Sequence, residues 1–111
     1  REVPSGRGLV VPLADGSSVA IFRENDSLAA ISNLCAHQNG PLGEGTLRDG
    51  CVICPWHGYE YRLRDGCAPA PFTERVATYR LRLEGETILL DTRPNPLGTA
   101  VEPVAIPEAL R

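Results

Sequence analysis

Cys35-Ala36-His37 and Cys54-Pro55-Trp56-His57 decide how this chain is read. Sixteen residues, Gln38 to Ile53, separate the two segments, and between them they hold both histidines of the sequence. In each, a histidine follows a cysteine at a short fixed step. Two thiolates and two imidazoles form a donor set that suits iron–sulfur or zinc and fits calcium or magnesium poorly. A structural zinc site is the plain alternative, although zinc fingers usually pair like with like, two cysteines close together and then two histidines. Here each segment offers sulfur and then nitrogen. Together they can give sulfur to one metal and nitrogen to a second beside it, the arrangement that a two-iron cluster with unlike ligand pairs needs.

On these residues the chain resembles the Rieske [2Fe–2S] family, whose signature is C-x-H, a spacer, and C-x-x-H. The flanks agree, with Gly40-Pro41-Leu42 after the first segment and Gly58-Tyr59-Glu60-Tyr61 after the second. The likeness runs from about Gly8 to Asp91. It implies that Cys35 and Cys54 hold one iron and His37 and His57 the other, two His replacing two Cys on that iron. The residues it places around the cluster are Gly40, Trp56, Gly58, Tyr59, Tyr61 and Pro69.

A chain of 111 residues is one domain, long enough to bury a core without disulfides. No apolar run approaches a membrane span, and no secretory signal stands at the start. Met is absent, so the initiator is removed or this is an excised piece. Lys is absent too, and all eleven basic residues are Arg, which reads mainly as a base-composition bias. The net charge of −3 argues against nucleic acid as a partner and permits a basic protein partner. Respiratory-complex Rieske proteins carry an extra Cys in each loop, joined as a bridge. Those positions hold Gly40 and Trp56 here, so that bridge cannot form. Cys51 and Cys67 remain, and they read as small apolar thiols in a reducing compartment, with a Cys51–Cys67 disulfide as the other reading. The expected location is the cytoplasm.

Turn signals recur at Ala14-Asp15-Gly16, Glu24-Asn25-Asp26, Arg48-Asp49-Gly50, Arg64-Asp65-Gly66 and Glu84-Gly85-Glu86. The runs between them predict strands over Leu9–Leu13, Ser18–Arg23, Leu28–Ser32, Cys51–Cys54, Tyr59–Leu63, Ala77–Glu84 and Thr87–Asp91. In Ala77–Glu84, Tyr79, Leu81 and Leu83 share one face, and Thr78, Arg80, Arg82 and Glu84 the other. No stretch keeps helical periodicity over three turns. The fold class is therefore all-β, an antiparallel sandwich or barrel. The resemblance adds a small cluster-binding subdomain carrying two loops, within about residues 33–72 of a Rieske domain spanning 1–91. Pro55 stiffens the second loop. Ala68–Pro71 looks similar to the proline loop that covers the cluster in the family, and reads equally as an ordinary Pro-rich connection. Residues 92–111, with four prolines, read as a C-terminal arm or linker whose apolar residues tether it to a partner or to its own sheet.

The chemistry implied is one-electron transfer. Two ferric irons, two sulfides, two thiolates and neutral imidazoles sum to zero charge, and reduction gives −1, whereas four cysteines would give −2 and −3. The mixed ligation raises the potential from roughly −400 mV to a range of about −150 to +300 mV. High-potential relatives have a Ser two residues after the second His and a Tyr two further on, both donating to cluster sulfur. Here Tyr59 stands at the Ser position and only Tyr61 keeps its hydroxyl, so a low potential is expected. The protein expected is a low-potential ferredoxin passing electrons from a flavin-dependent reductase to a terminal oxygenase, with no membrane partner. The alternative is a Rieske domain or small subunit of a larger oxygenase or nitrite-reductase-like enzyme. No histidine is left for a mononuclear iron, so the chain is not catalytic alone.

Overall fold

A four-residue apolar run, Val19-Ala20-Ile21-Phe22, sets the layering. All four side chains are buried, so their strand is covered on both faces. In the computed structural model, which describes residues 8–35, 40–56 and 58–108, this run lies in β2 (Ser18–Glu24). Strands β1 (Gly8–Pro12) and β3 (Ser27–Ser32) flank it antiparallel. The far side of β3 is shared: β10 (Val104–Ala105) pairs with Ser27 and Leu28, and β7 (Thr78–Tyr79) with Ala30 and Ile31.

Ala20 and Phe22 face a first core with Ile31, Leu42, Val52, Tyr61 and Leu63. Val19 and Ile21 face a second, with Leu28, Ala30, Tyr79 and Ile106. Strands β4 (Thr46–Arg48), β5 (Cys51–Ile53) and β6 (Glu60–Arg62) form a small antiparallel sheet over the first core. The hairpin of β8 (Leu81–Glu84) and β9 (Thr87–Leu90) covers the second. The all-β antiparallel architecture expected from the strand spacing is thus present, in three layers.

The turns follow their residues. Asp49 and Gly50 both take positive φ, 52° and 81°, the two-residue geometry that matches strand twist and that Asp-Gly favours. Glu24 Oε2 accepts the Gly50 N–H at 2.9 Å, tying this turn to the end of β2.

Two expectations need correction. Ala77–Glu84 is not one strand: β7 pairs with β3 and β8 with β9, the partner changing at Arg80. Face alternation continues through the break, which is why periodicity reads it as continuous. Thr78 also leaves the outer face, being 1% exposed beneath the residues that follow β9. Its hydroxyl donates to Thr99 O at 2.9 Å and accepts from Asn95 Nδ2 at 3.1 Å. Beyond β9 the chain returns over the molecule, with Val101 N–H on Arg64 O, strand β10, and Ile106 buried in the second core.

Candidate metal centre

Two loops carry the cysteines of the paired motifs, one between β3 and the small sheet and one between β5 and β6, and they are built alike. The first is six residues, 35–40, between the bridged pair Leu34 and Pro41. The second is six residues, 54–59, between the paired Ile53 and Glu60. In each, the cysteine comes first and its N–H closes the loop onto the carbonyl five residues on: Cys35 to Gly40 at 2.8 Å and Cys54 to Tyr59 at 2.7 Å. His37 and His57 lie outside the described residues.

Cys35 and Cys54 are 0% and 2% exposed, unbridged, and packed in the first core with Leu42, Val52 and Tyr61. Tyr61 is fully buried, and its hydroxyl lies 3.1 Å from Cys35 Sγ. A thiolate can only accept, so the phenol donates whenever Cys35 is deprotonated. Gly40 sits in the narrowest place. A Cβ there would fall 2.6 Å from Cys54 Sγ and 3.3 Å from the Trp56 ring. The Trp56 indole thus packs on the first loop and is still 56% exposed.

Gly58 has φ +76° with open space around it, and its N–H reaches Cys54 O at 3.0 Å. Pro69, half-buried, faces Gly58, Tyr59 and Glu60 across a groove of about 300 Å³, and the Tyr59 and Phe72 rings lie 5.9 Å apart. The six residues expected around a cluster therefore meet at these loops or border them.

Cys51 and Cys67 are both free. Cys51 is paired with Arg62, whose N–H reaches Cys67 O, so the width of β6 separates the two thiols. Burial pushes the Cys51 thiol above its ordinary value, and neighbouring Glu60 adds to it. Cys67 is half-buried, with Sγ 3.6 Å from Asp65 O.

Sequence reasoning missed one polar residue of the site, Asn33, which is 7% exposed at the root of the first loop. Its signal was slight: an amide two positions before the first cysteine, with glycines downstream.

Buried unbridged thiols at the heads of paired loops, a glycine cradle against sulfur and an adjacent phenol donor are features that suit a soft metal. The donor set and the cradle fit an iron–sulfur cluster. A model of the Rieske [2Fe-2S] domain matches residues 1–80, and the chain belongs to that family, with a Rieske-type [2Fe–2S] cluster as its cofactor. The chain is 40% identical over 72 residues to the anthranilate 1,2-dioxygenase ferredoxin subunit of Burkholderia cepacia, covering 64% of this chain and 67% of that protein. It is 30% identical over 91 residues to the ferredoxin component of the naphthalene 1,2-dioxygenase system of Pseudomonas aeruginosa, covering 81% and 86%. Among solved structures, the ferredoxin of carbazole 1,9a-dioxygenase from Nocardioides aromaticivorans IC177 matches with a TM-score of 0.74 and 29% identity, covering 82% of this chain and 89% of that one.

Proposed function

We propose that the chain is the ferredoxin component of a multicomponent oxygenase system, accepting electrons from a flavin-dependent reductase and delivering them singly to a terminal oxygenase. Cys35 and Cys54 hold one iron, and His37 and His57 hold the other. The observation that carries this reading is the pair of matched six-residue loops, each headed by a buried cysteine outside any disulfide, with the Tyr61 hydroxyl 3.1 Å from one of the sulfurs. When bound, the cluster supplies a reversible one-electron couple.

The chain's own residues set the level of that couple. The Tyr61 hydroxyl donates to Cys35 sulfur and so favours the more negative, reduced state. Tyr59 stands where high-potential relatives have a donor Ser. Its ring lies against Phe72, and its carbonyl is taken by Cys54 N–H. With that donor absent and Gly40 and Trp56 in the place of a bridge, the potential falls near the bottom of the Rieske range, about −150 mV. Leu42, Val52 and Ala68 are buried beside the loops, which keeps water from the sulfur side. The exposed Trp56 stands on the outer side, where a partner approaches.

A redox titration followed by the reduced-state EPR signal tests the reading. A Rieske spectrum, lost in Cys35→Ser and His57→Ala, with a midpoint well below zero supports it. A midpoint above about +100 mV overturns the low-potential assignment. Electron transfer to nitrite reductase rather than to an oxygenase would replace the partner assignment with the small-subunit alternative.

A further inference from the structure

Asn33 makes four hydrogen bonds at the root of the first loop, and they form a closed pattern. Its backbone N–H donates to Ser18 O at 3.0 Å, and its carbonyl accepts Leu42 N–H at 2.6 Å. Its side-chain Oδ1 accepts Gly43 N–H at 2.6 Å, and Nδ2 donates to Ser18 Oγ at 3.1 Å. One nearly buried residue thus joins the outgoing limb of the loop, its returning limb, and the start of β2 in the large sheet.

The fit leaves no slack. A Cβ on Gly43 would lie 2.8 Å from Asn33 Oδ1 and 2.5 Å from Val10 Cγ2, so the returning limb is pressed onto the amide. Both Asn33 side-chain groups are satisfied, as a buried amide requires. The uncharged amide supplies an acceptor to one limb and a donor to the sheet from two separate atoms. Two residues further along stands Cys35, whose Sγ must remain 3.1 Å from the Tyr61 hydroxyl on the opposite sheet strand β6. Hydrogen bonds weaken steeply as they lengthen or bend, so a small drift of the first loop would cost that contact.

We propose that Asn33 is a positioning residue for electron transfer: by clamping both limbs of the first loop to β2, it holds Cys35 sulfur within reach of the Tyr61 hydroxyl and so sets the reduction potential. This rests on Cys35 holding the cluster. The Tyr61 bond stabilises the reduced state. Loosening the clamp therefore lowers the midpoint, by up to the shift that losing the phenol itself produces.

The experiment measures midpoints by redox titration of the cluster-loaded protein for wild type, Asn33→Ala, Ser18→Ala, Tyr61→Phe and the pairs with Tyr61→Phe. Residues acting through one contact couple, and residues acting separately add. Expected are a negative shift in Tyr61→Phe of up to tenfold in the reduction equilibrium, ~59 mV for one electron, and a shift of the same sign in Asn33→Ala. The Asn33→Ala/Tyr61→Phe pair should match Tyr61→Phe alone. Ser18→Ala removes one anchor and keeps the Gly43 bond, so it should move the midpoint less and also add nothing to Tyr61→Phe. If Asn33→Ala does not load a cluster, Ser18→Ala decides. A lowered melting temperature with an unmoved midpoint, or shifts that simply add, overturns the proposal in favour of a stabilising role alone. Retention of the wild-type EPR spectrum by Cys35→Ser would overturn the ligand assignment itself, a result separate from any midpoint.

Discussion

The two loops share a length, a leading cysteine and a closing bond, yet they are held in place by different means. The second spans neighbouring strands of one hairpin, β5 and β6, so its anchorage is local. The first leaves the end of β3 in the large sheet and returns through a 3-10 turn, Leu42–Glu44, into β4 of the small one. It is the joint between two sheets. Their glycines differ for the same reason. Gly58 of the second loop provides a positive φ in open space, while Gly40 and Gly43 of the first permit close approach. A hairpin tip needs a backbone that turns, and a joint needs surfaces that meet.

The largest effect should come from violating the approach. In Gly40→Ala the new methyl carbon would fall 2.6 Å from Cys54 Sγ and 3.3 Å from the Trp56 ring. Overpacking of this kind costs about 1–3 kcal/mol in an ordinary core, and here it is aimed at a sulfur whose position matters. We expect the purified protein to be largely colourless, with the iron-to-protein ratio falling well below that of wild type. Next comes Leu42→Ala. Leu42 is 0% exposed at the return of the first loop, and its truncation should lower stability by about 2–5 kcal/mol, measured by thermal melting. The corresponding change in the second loop is milder. Gly58→Ala meets nothing within 4 Å and pays only for φ +76°, about 1–2 kcal/mol, with the cluster spectrum kept. Should Gly58→Ala lose iron while Gly40→Ala keeps it, the contrast between the loops is wrong.

The same contrast explains which features the amino-acid sequence discloses by itself. The second loop is contiguous with its strands, so residues, turn and register all sit in one window of sequence. Asp49-Gly50 and the alternating flanks mark the hairpin that precedes it. The first loop was legible in Cys35-Ala36-His37 and the Gly40-Pro41-Leu42 flank, and not in its anchorage. Its anchor Asn33 acts on Gly43 and Ser18, and the 15-residue step back to Ser18 leaves no periodic trace. Strand β4 was missed because three residues, Thr46–Arg48, present a single inward side chain. Strand β10 was missed because two residues between prolines carry no pattern, and pairing with β3 alone makes them a strand. Alternation likewise carried Ala77–Glu84 across a change of partner. Which faces are buried is written locally; which strand lies alongside is not.

A last difference concerns charge. The first loop is clamped by a neutral amide, whereas the far end of β6, which follows the second loop, is closed by a carboxylate. Asp65 accepts from Arg62 Nε and from Cys67 N–H through Oδ1, and from the second guanidinium nitrogen through Oδ2. Burial pushes this carboxyl upward, but the Arg62 and Cys67 hydrogen bonds outweigh it and leave the group below its ordinary value of 3.8. A group depressed in the folded state contributes stability above its unfolded value, and that contribution is lost as the pH falls through the folded one. Asp65→Asn should therefore be less stable than wild type at neutral pH by about 1 kcal/mol or less, since the ion pair is partly exposed. The gap should close as the pH drops below 3.8. Asn33→Ala should show a deficit with no such dependence, because no proton is exchanged at the amide. Melting curves of the two variants against wild type across that interval separate the cases. A deficit in Asp65→Asn that persists at the acid end would mean that the turn is held by shape, and that the two anchors differ less than their chemistry implies.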